Sequence, residues 1–172
     1  MGQTTLGLPY PASTAVPRVW EDIQALADAM NALLTLPAPA AESGTTSTIT
    51  ATSWTGLPTS NPSPTLTNPH ATRGMLVDVR YSGWLATTGP AVRCVPRVWG
   101  DVTIAAGIGT GALNWGEVLY TATAGTQCSA SFLMTVPAGG TVTADLQAYR
   151  DSASGTQTVN YSTLRLIPLR YV

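Results

Sequence analysis

The chain has no lysine, a single histidine and few charges of either sign. All eight basic residues are arginines, set against nine acidic residues for a net charge of -1. The arginines are scattered along the chain, whereas a protein that neutralises a phosphate backbone clusters its positive charge. The sequence therefore predicts no nucleic-acid partner. Charged residues make up 10% of the chain, against roughly 25% in an ordinary soluble domain, so we expect much of its surface to be covered.

Long hydrophobic runs are also missing. No stretch approaches the ~18 apolar residues that a membrane-spanning helix needs. The N-terminus has no basic region followed by an apolar run, so we expect no cleaved signal peptide and no membrane partner. Only two cysteines occur, Cys94 and Cys128, too few for a disulfide framework and not spaced as half of a zinc site.

Residues that carry catalysis or bind metals are scarce. The one histidine, His70, lies in the turn-like stretch NPHATRG, where a structural loop role is more common than a chemical one. The glycine-rich stretch GIGTGALNWG, from Gly107, lacks the Lys-Ser/Thr that completes a phosphate loop. Asp145 and Asp151 lack the ligand ladder of a calcium loop. The sequence predicts no catalytic residue, no cofactor and no metal site.

A heptad pattern near the N-terminus predicts a helix with an apolar stripe. The stripe is formed by Val16, Val19, Ile23, Leu26, Met30 and Leu33. Trp20 falls at a neighbouring position and makes the stripe wider than a two-stranded coiled coil needs. We expect the helix to begin between Thr14 and Pro17. An isolated helix of this length is marginal in water, so the stripe must pack on its own domain, on sister chains or on another protein.

The composition changes twice along the chain and predicts three regions. Residues 1–36 form an N-terminal segment that contains the helix. Prolines end this region, and residues 37–47 are rich in Ala, Gly, Ser and Thr, which is typical of a linker. From 48 to 172 the pattern has period two and is rich in Thr, Val and aromatic residues, which indicates a β domain.

Eight strands are predicted in the β domain: TSTITATSW, GMLVDVRYSGWLAT, AVRCVPRVW, DVTIAA, ALNWGEVLYTAT, TQCSASFLMTV, TVTADLQAY and TVNYSTLRLIPLRYV. Short strands separated by turn residues favour an antiparallel β-sandwich of jelly-roll type. Alternation along TQCSASFLMTV assigns five residues to the core: Cys128, Ala130, Phe132, Met134 and Val136. By the same rule Val92, Cys94 and Val98 share a face.

This alternation predicts that Cys94 and Cys128 lie on the core-facing sides of neighbouring strands. Two outcomes stay open at this stage. The thiols could form one disulfide after release from a reducing cytoplasm, or remain as two buried free cysteines.

Aromatic residues are spread through the β domain, among them Trp54, Trp84, Trp99, Tyr120 and Tyr161. Such residues either fill a core or, where they are exposed beside polar groups, stack on sugar rings or anchor an interface. Their exposure decides between these roles.

Stretches at both ends of the chain resemble segments of known proteins. Residues 6–30, LGLPYPASTAVPRVWEDIQALADAM, resemble the N-terminal segment of small virion proteins of tailed bacteriophages, in which a GLPYP stretch precedes a short helix. The C-terminal run VPAGGTVTADLQAYRDSASGTQTVNYSTLRLIPL resembles the closing strands of β-sandwich domains on phage fibres, spikes and decoration proteins.

This resemblance implies a non-enzymatic capsid decoration or head-fibre subunit at the particle surface, made in the host cytoplasm. It implies a homotrimer attached to a major capsid protein or a tail protein. The docking strip would consist of Leu6, Leu8, Pro9, Tyr10 and Pro11. A tail-fibre or receptor-binding subunit that recognises a host surface glycan is the close alternative. A glycan-processing enzyme fits less well, since it needs two suitably spaced carboxylates.

Overall fold

The computed structural model describes residues 2–3, 9–10, 19–34, 38–104, 119–122 and 124–172. At the N-terminus, β1 (Gly2–Gln3) pairs antiparallel with β2 (Pro9–Tyr10). The helix α1 (Val19–Leu34) follows, with Glu21 and Asp22 in its first turn, where carboxylates stabilise the positive end of the helix dipole.

All other strands belong to two antiparallel sheets. The five-stranded sheet contains β5 (Thr55–Gly56), β6 (Thr65–Thr67), β8 (Val92–Gly100), β10 (Leu119–Thr121) and β12 (Thr141–Arg150). The six-stranded sheet contains β3 (Ala40–Ser43), β4 (Ser47–Thr48), β7 (Met75–Thr87), β9 (Thr103–Ile104), β11 (Thr126–Val136) and β13 (Gln157–Tyr171). The predicted mainly β, antiparallel fold is confirmed, and the arrangement is consistent with a β-sandwich.

The strands pair in a nested order. Strand β8 pairs with β10, β7 with β11, β5 and β6 with β12, and β3 and β4 with β13. From β7 to β13, successive strands alternate between the two sheets. Each long strand therefore has its neighbours in the chain on the opposite side of the core.

Residues of both sheets form one hydrophobic core. Tyr81 and Leu164 from the six-stranded sheet and Val98 and Leu146 from the five-stranded sheet are buried in the same cluster. The predicted alternation along β11 is confirmed: its inward-facing residues are buried or pack against the core, whereas Leu133 is 43% exposed. Val92, Cys94 and Val98 are likewise all buried.

The predicted linker, residues 37–47, differs from the structure. It contains β3, whose residues Ala40 to Ser43 pair with Arg165 to Ser162 of β13, and part of β4. A strand at the edge of a sheet has backbone N–H and C=O groups without partners. On the side away from β7, β13 has such an edge, and β3 and β4 pair with it through their backbones. The β domain therefore begins at β3 rather than at residue 48.

A β-bulge in β13 changes the face of the residues that follow it. Val159 pairs with Leu85, but the next register partner is Tyr161 with Trp84, so Asn160 is skipped. In regular alternation two residues apart on a strand share a face, which would turn Tyr161 inward with Val159. The extra residue instead places Tyr161 on the outer face beside Trp84, a common effect of bulges.

Substitutions at two adjacent residues of β11 test which face of the strand points into the core. Met134→Ala should lower the free energy of unfolding by about 2–5 kcal/mol, because its side chain is 1% exposed and truncation leaves a cavity. The control Leu133→Ala should change it by about 0.5 kcal/mol or less, as is usual at exposed sites. Urea unfolding measures both. Equal losses for the two variants would contradict the register.

Candidate functional site

His70 organises a loop. Its Nδ1 accepts hydrogen bonds from the backbone N–H groups of Thr72 at 3.2 Å and Arg73 at 3.1 Å. Its ring centroid lies 4.7 Å from that of Tyr171, and the backbone N–H of His70 donates to Asn68 Oδ1 at 3.0 Å. These are the contacts of a structural loop residue, since the Nδ1 atom is occupied by two backbone N–H groups.

Asn68 is the polar residue on which this loop depends, and the sequence analysis missed it. The side chain is fully buried, and its Nδ2 donates to the carbonyls of Arg73 at 2.8 Å, Val136 at 3.1 Å and Pro137 at 2.9 Å. These bonds tie the loop to the end of β11. The dipeptide Asn-Pro, a turn signal, was the available clue in the sequence.

Asp145 and Asp151 are engaged by arginines. Arg97 Nε donates to Asp145 Oδ1 at 3.0 Å, and Arg93 Nε donates to Asp151 Oδ1 at 2.9 Å. Each carboxylate raises the pKa of its arginine. Within the described ranges, no group of three or more His, Cys, Asp or Glu side chains could hold a metal ion. The GIGTGALNWG stretch lies outside the described residues.

The same arginines cover aromatic rings on the outer face of the five-stranded sheet. The Arg93 guanidinium carbon lies 5.0 Å from the ring centroid of Tyr120 and 5.8 Å from that of Tyr149. That of Arg97 lies 4.7 Å from the Trp99 ring. These are cation–π distances. Tyr120, Tyr149 and Trp99 therefore already have a cationic partner within the chain.

Helix α1 presents an exposed apolar stripe. Trp20 is 75% exposed, Ile23 54%, Met30 48% and Leu26 36%. These fractions do not favour the alternative in which the stripe packs on the β domain. Of the other predicted stripe residues, Val16 and the side chains of Val19 and Leu33 lie outside the described part of the chain, as does the predicted start of the helix.

The predicted docking strip is described only in part. Pro9 and Tyr10 form β2, where they are the register partners of Gln3 and Gly2. Leu6, Leu8 and Pro11, and the side chains of the other two residues, lie outside the described residues. The docking role of the strip stays a prediction.

The two cysteines lie in different sheets, so their predicted placement on neighbouring strands is wrong. Cys94 is on β8, opposite Leu119 and Ala148, and Cys128 is on β11, opposite Gly83. The alternation gave the correct face for each thiol, but it carries no information on which strands become neighbours. Both thiols are free. Burial raises the pKa of Cys94 to about 12.

No helix among the described residues combines the length and the apolar character required to cross a bilayer. Compared with known proteins, the chain matches no protein-family model and no curated protein.

Thiol labelling tests this placement of the cysteines. Iodoacetamide at about pH 8 should leave Cys94 unmodified in the native protein, because the thiolate is the reacting form and a buried thiol is neither ionised nor accessible. Cys128, which is partly exposed, should react faster. Mass spectrometry after digestion measures both sites, and labelling in urea is the control in which both should react. Rapid native labelling of Cys94 would contradict its burial.

Proposed function

We propose that this chain is a non-enzymatic structural protein of a tailed bacteriophage, a capsid decoration or head-fibre subunit. Residues 1–36 attach it to the particle, and the β domain faces outward at the particle surface. The observation that carries the proposal is the exposed stripe of α1, on which Trp20, Ile23 and Met30 are about half exposed or more. Contiguous exposed apolar side chains of this size mark a surface that binds another protein.

The energetics of the helix support an attachment role. A helix of 16 residues is marginal by itself in water, and its stability comes mainly from packing of its apolar face. A partner that covers Trp20 and its neighbours would supply that packing. The resemblance of residues 6–30 to the leader of small phage virion proteins supports a major capsid protein or a tail protein as this partner.

A homotrimer is part of the proposal. The stripe is wider than one partner helix requires, and the low charge of the chain suits a surface shared among copies, since interface cores are depleted of charged residues. The threefold axis would run along the β domains.

A jelly-roll arrangement of the sandwich is also proposed. Its support is the nested pairing, in which the strands from β3 to β13 form one long folded ribbon whose successive pairs fall in opposite sheets. Jelly rolls combine eight strands in two sheets in this manner and occur in viral capsid domains.

Two alternatives differ in what the β domain does. A tail-fibre or receptor-binding subunit would share the architecture and attach to host cells through this domain. A glycan-processing enzyme would need two carboxylates at a set spacing, and it is disfavoured because Asp145 and Asp151 are paired with arginines.

Substitutions on α1 test the attachment role. Trp20→Ala combined with Ile23→Ala should lower the number of copies per purified particle at limiting protein concentration. We expect binding about tenfold weaker or more, because truncation of an anchor residue usually costs about 2 kcal/mol or more. Quantitative mass spectrometry of purified particles measures this occupancy.

The proposed trimer has its own test. Light scattering of the wild-type protein in solution should give the mass of three chains.

The matched control is Asp28→Ala. Asp28 is exposed and lies two residues from Met30, on the other side of the helix at 3.6 residues per turn. The Asp28→Ala variant should reach the same number of copies per particle as the wild type. Full occupancy of the double variant would refute the attachment role, and a monomer at micromolar concentration would refute the trimer.

A further inference from the structure

Three strands of the six-stranded sheet place polar and aromatic side chains in rows on its outer face. Strand β7 is central, with β11 on one side and β13 on the other. The rows of register partners are Gln127–Trp84–Tyr161, Ser129–Ser82–Thr163 and Ser131–Arg80–Arg165. The face thus runs from an aromatic row through a hydroxyl row to an arginine row.

The hydroxyl and arginine rows surround an open recess of about 500 Å³. Its polar lining is formed by Arg80, Ser82, Ser129, Ser131, Thr163 and Arg165. Its volume lies within the range of small-molecule sites. Hydroxyl groups can both donate and accept hydrogen bonds, whereas guanidinium groups only donate. The recess is therefore suited to a ligand that carries many hydrogen-bonding groups of both kinds.

The aromatic row beside the recess is exposed and held in place. Trp84 is 45% exposed and Tyr161 42%. The bulge at Asn160 brings Tyr161 to this face, and Gly125 lies against the indole of Trp84. A Cβ atom at Gly125 would be 3.0 Å from Trp84 Nε1, and its φ of +144° is one that L side chains rarely adopt. Only glycine at this position lets the chain pack so closely on the ring.

The two arginines of the recess are paired with carboxylates. Arg80 Nε lies 2.7 Å from Asp78 Oδ2, and Arg165 Nη2 lies 3.3 Å from Glu42 Oε1. Glu42 Oε2 also accepts a hydrogen bond from Tyr161 Oη at 3.3 Å. Each arginine that lines the recess is therefore paired with a carboxylate, and the recess itself offers no unpaired cation to attract an anion. The arginine side chains are nevertheless 63% and 54% exposed, so their N–H groups are accessible to a neutral ligand.

We propose that the recess and the Trp84–Tyr161 pair form a binding site for a neutral saccharide. The apolar face of a sugar ring would stack on the aromatic pair, and hydroxyl groups would bond to the hydroxyl and arginine rows. Successive rows are two residues apart, about 6.7 Å, so the three rows span roughly 13 Å. This length fits a disaccharide. The site belongs to the β domain alone and does not depend on the attachment role of α1.

The opposite face of the sandwich provides a comparison within the molecule. Trp99 is 37% exposed, but the guanidinium of Arg97 covers its ring. A sugar would have to displace that contact. Trp99 is therefore the matched control for Trp84: each is an exposed indole on a sheet face, and only Trp84 lies beside a hydroxyl-lined recess.

The test uses the full-length chain, fluorescently labelled, on an array of immobilised neutral and acidic saccharides. Neutral saccharides that bind are then titrated in solution to about 10 mM, a range that covers a Kd near 1 mM. The readout is the NMR signal of the Trp84 indole N–H, assigned by its loss in Trp84→Phe. We expect a saturable shift of this signal. Trp84→Ala and Arg165→Ala should each weaken binding about tenfold or more, and Trp99→Ala should bind like the wild type.

Four results would overturn the proposal: no saccharide bound, binding confined to acidic saccharides, equal losses for Trp84→Ala and Trp99→Ala, or a shift absent from Trp84. A change in native mass on Trp84→Ala would instead identify the face as a contact between copies and would also overturn it. Thermal unfolding of each variant checks the fold. Trp84→Phe, which keeps an aromatic ring, should retain more affinity than Trp84→Ala, and this order separates stacking from a general loss of structure.

Discussion

The antiparallel pairing of β7 with β13 determines which side chains of the six-stranded sheet are buried and which face outward. In this pairing Val79 meets Leu166 and Tyr81 meets Leu164, all within the core. A slip of one residue would move a whole set of apolar side chains to the surface, so core burial fixes the register strongly. The same pairing includes the bulge at Asn160, and so it also sets the composition of the outer face. Core and candidate binding surface are two consequences of one register.

The β domain buries apolar side chains in its core, whereas helix α1 leaves several of its own exposed. In the β domain the two sheets cover each other, and the nested pairing brings the first strand, β3, against the last, β13. In α1 the side chains of Trp20, Ile23 and Met30 stay exposed. Burial of such side chains is the main favourable contribution to folding and association. A partner that covered these side chains would add further burial, and this gain is the physical basis of the proposed attachment.

Much of the β domain could be predicted because its signals are local. The alternation along β11 follows directly from the period of a strand, and the predicted strand matches Thr126–Val136. The features that the sequence did not reveal are long-range. The pairing of β3, the placement of Cys94 and Cys128 in different sheets and the skipped Asn160 all depend on which strands become neighbours. The sequence raised sugar stacking as a role for exposed aromatic residues but could not locate a site, because the exposure of Trp84 and its place beside the serines of β11 exist only after the sheet has formed.

We expect the β domain to fold without residues 1–36, and we propose that these residues attach it to a particle. The most direct measurement is incorporation of a chain comprising residues 37–172, which keeps β3, into particles that lack the wild-type protein. We expect a cooperative thermal unfolding transition close to that of the full chain, together with loss of the protein from purified particles. A folded truncated chain that still reaches the occupancy of the full chain would contradict the attachment role. A truncated chain without a cooperative transition would contradict the independence of the β domain.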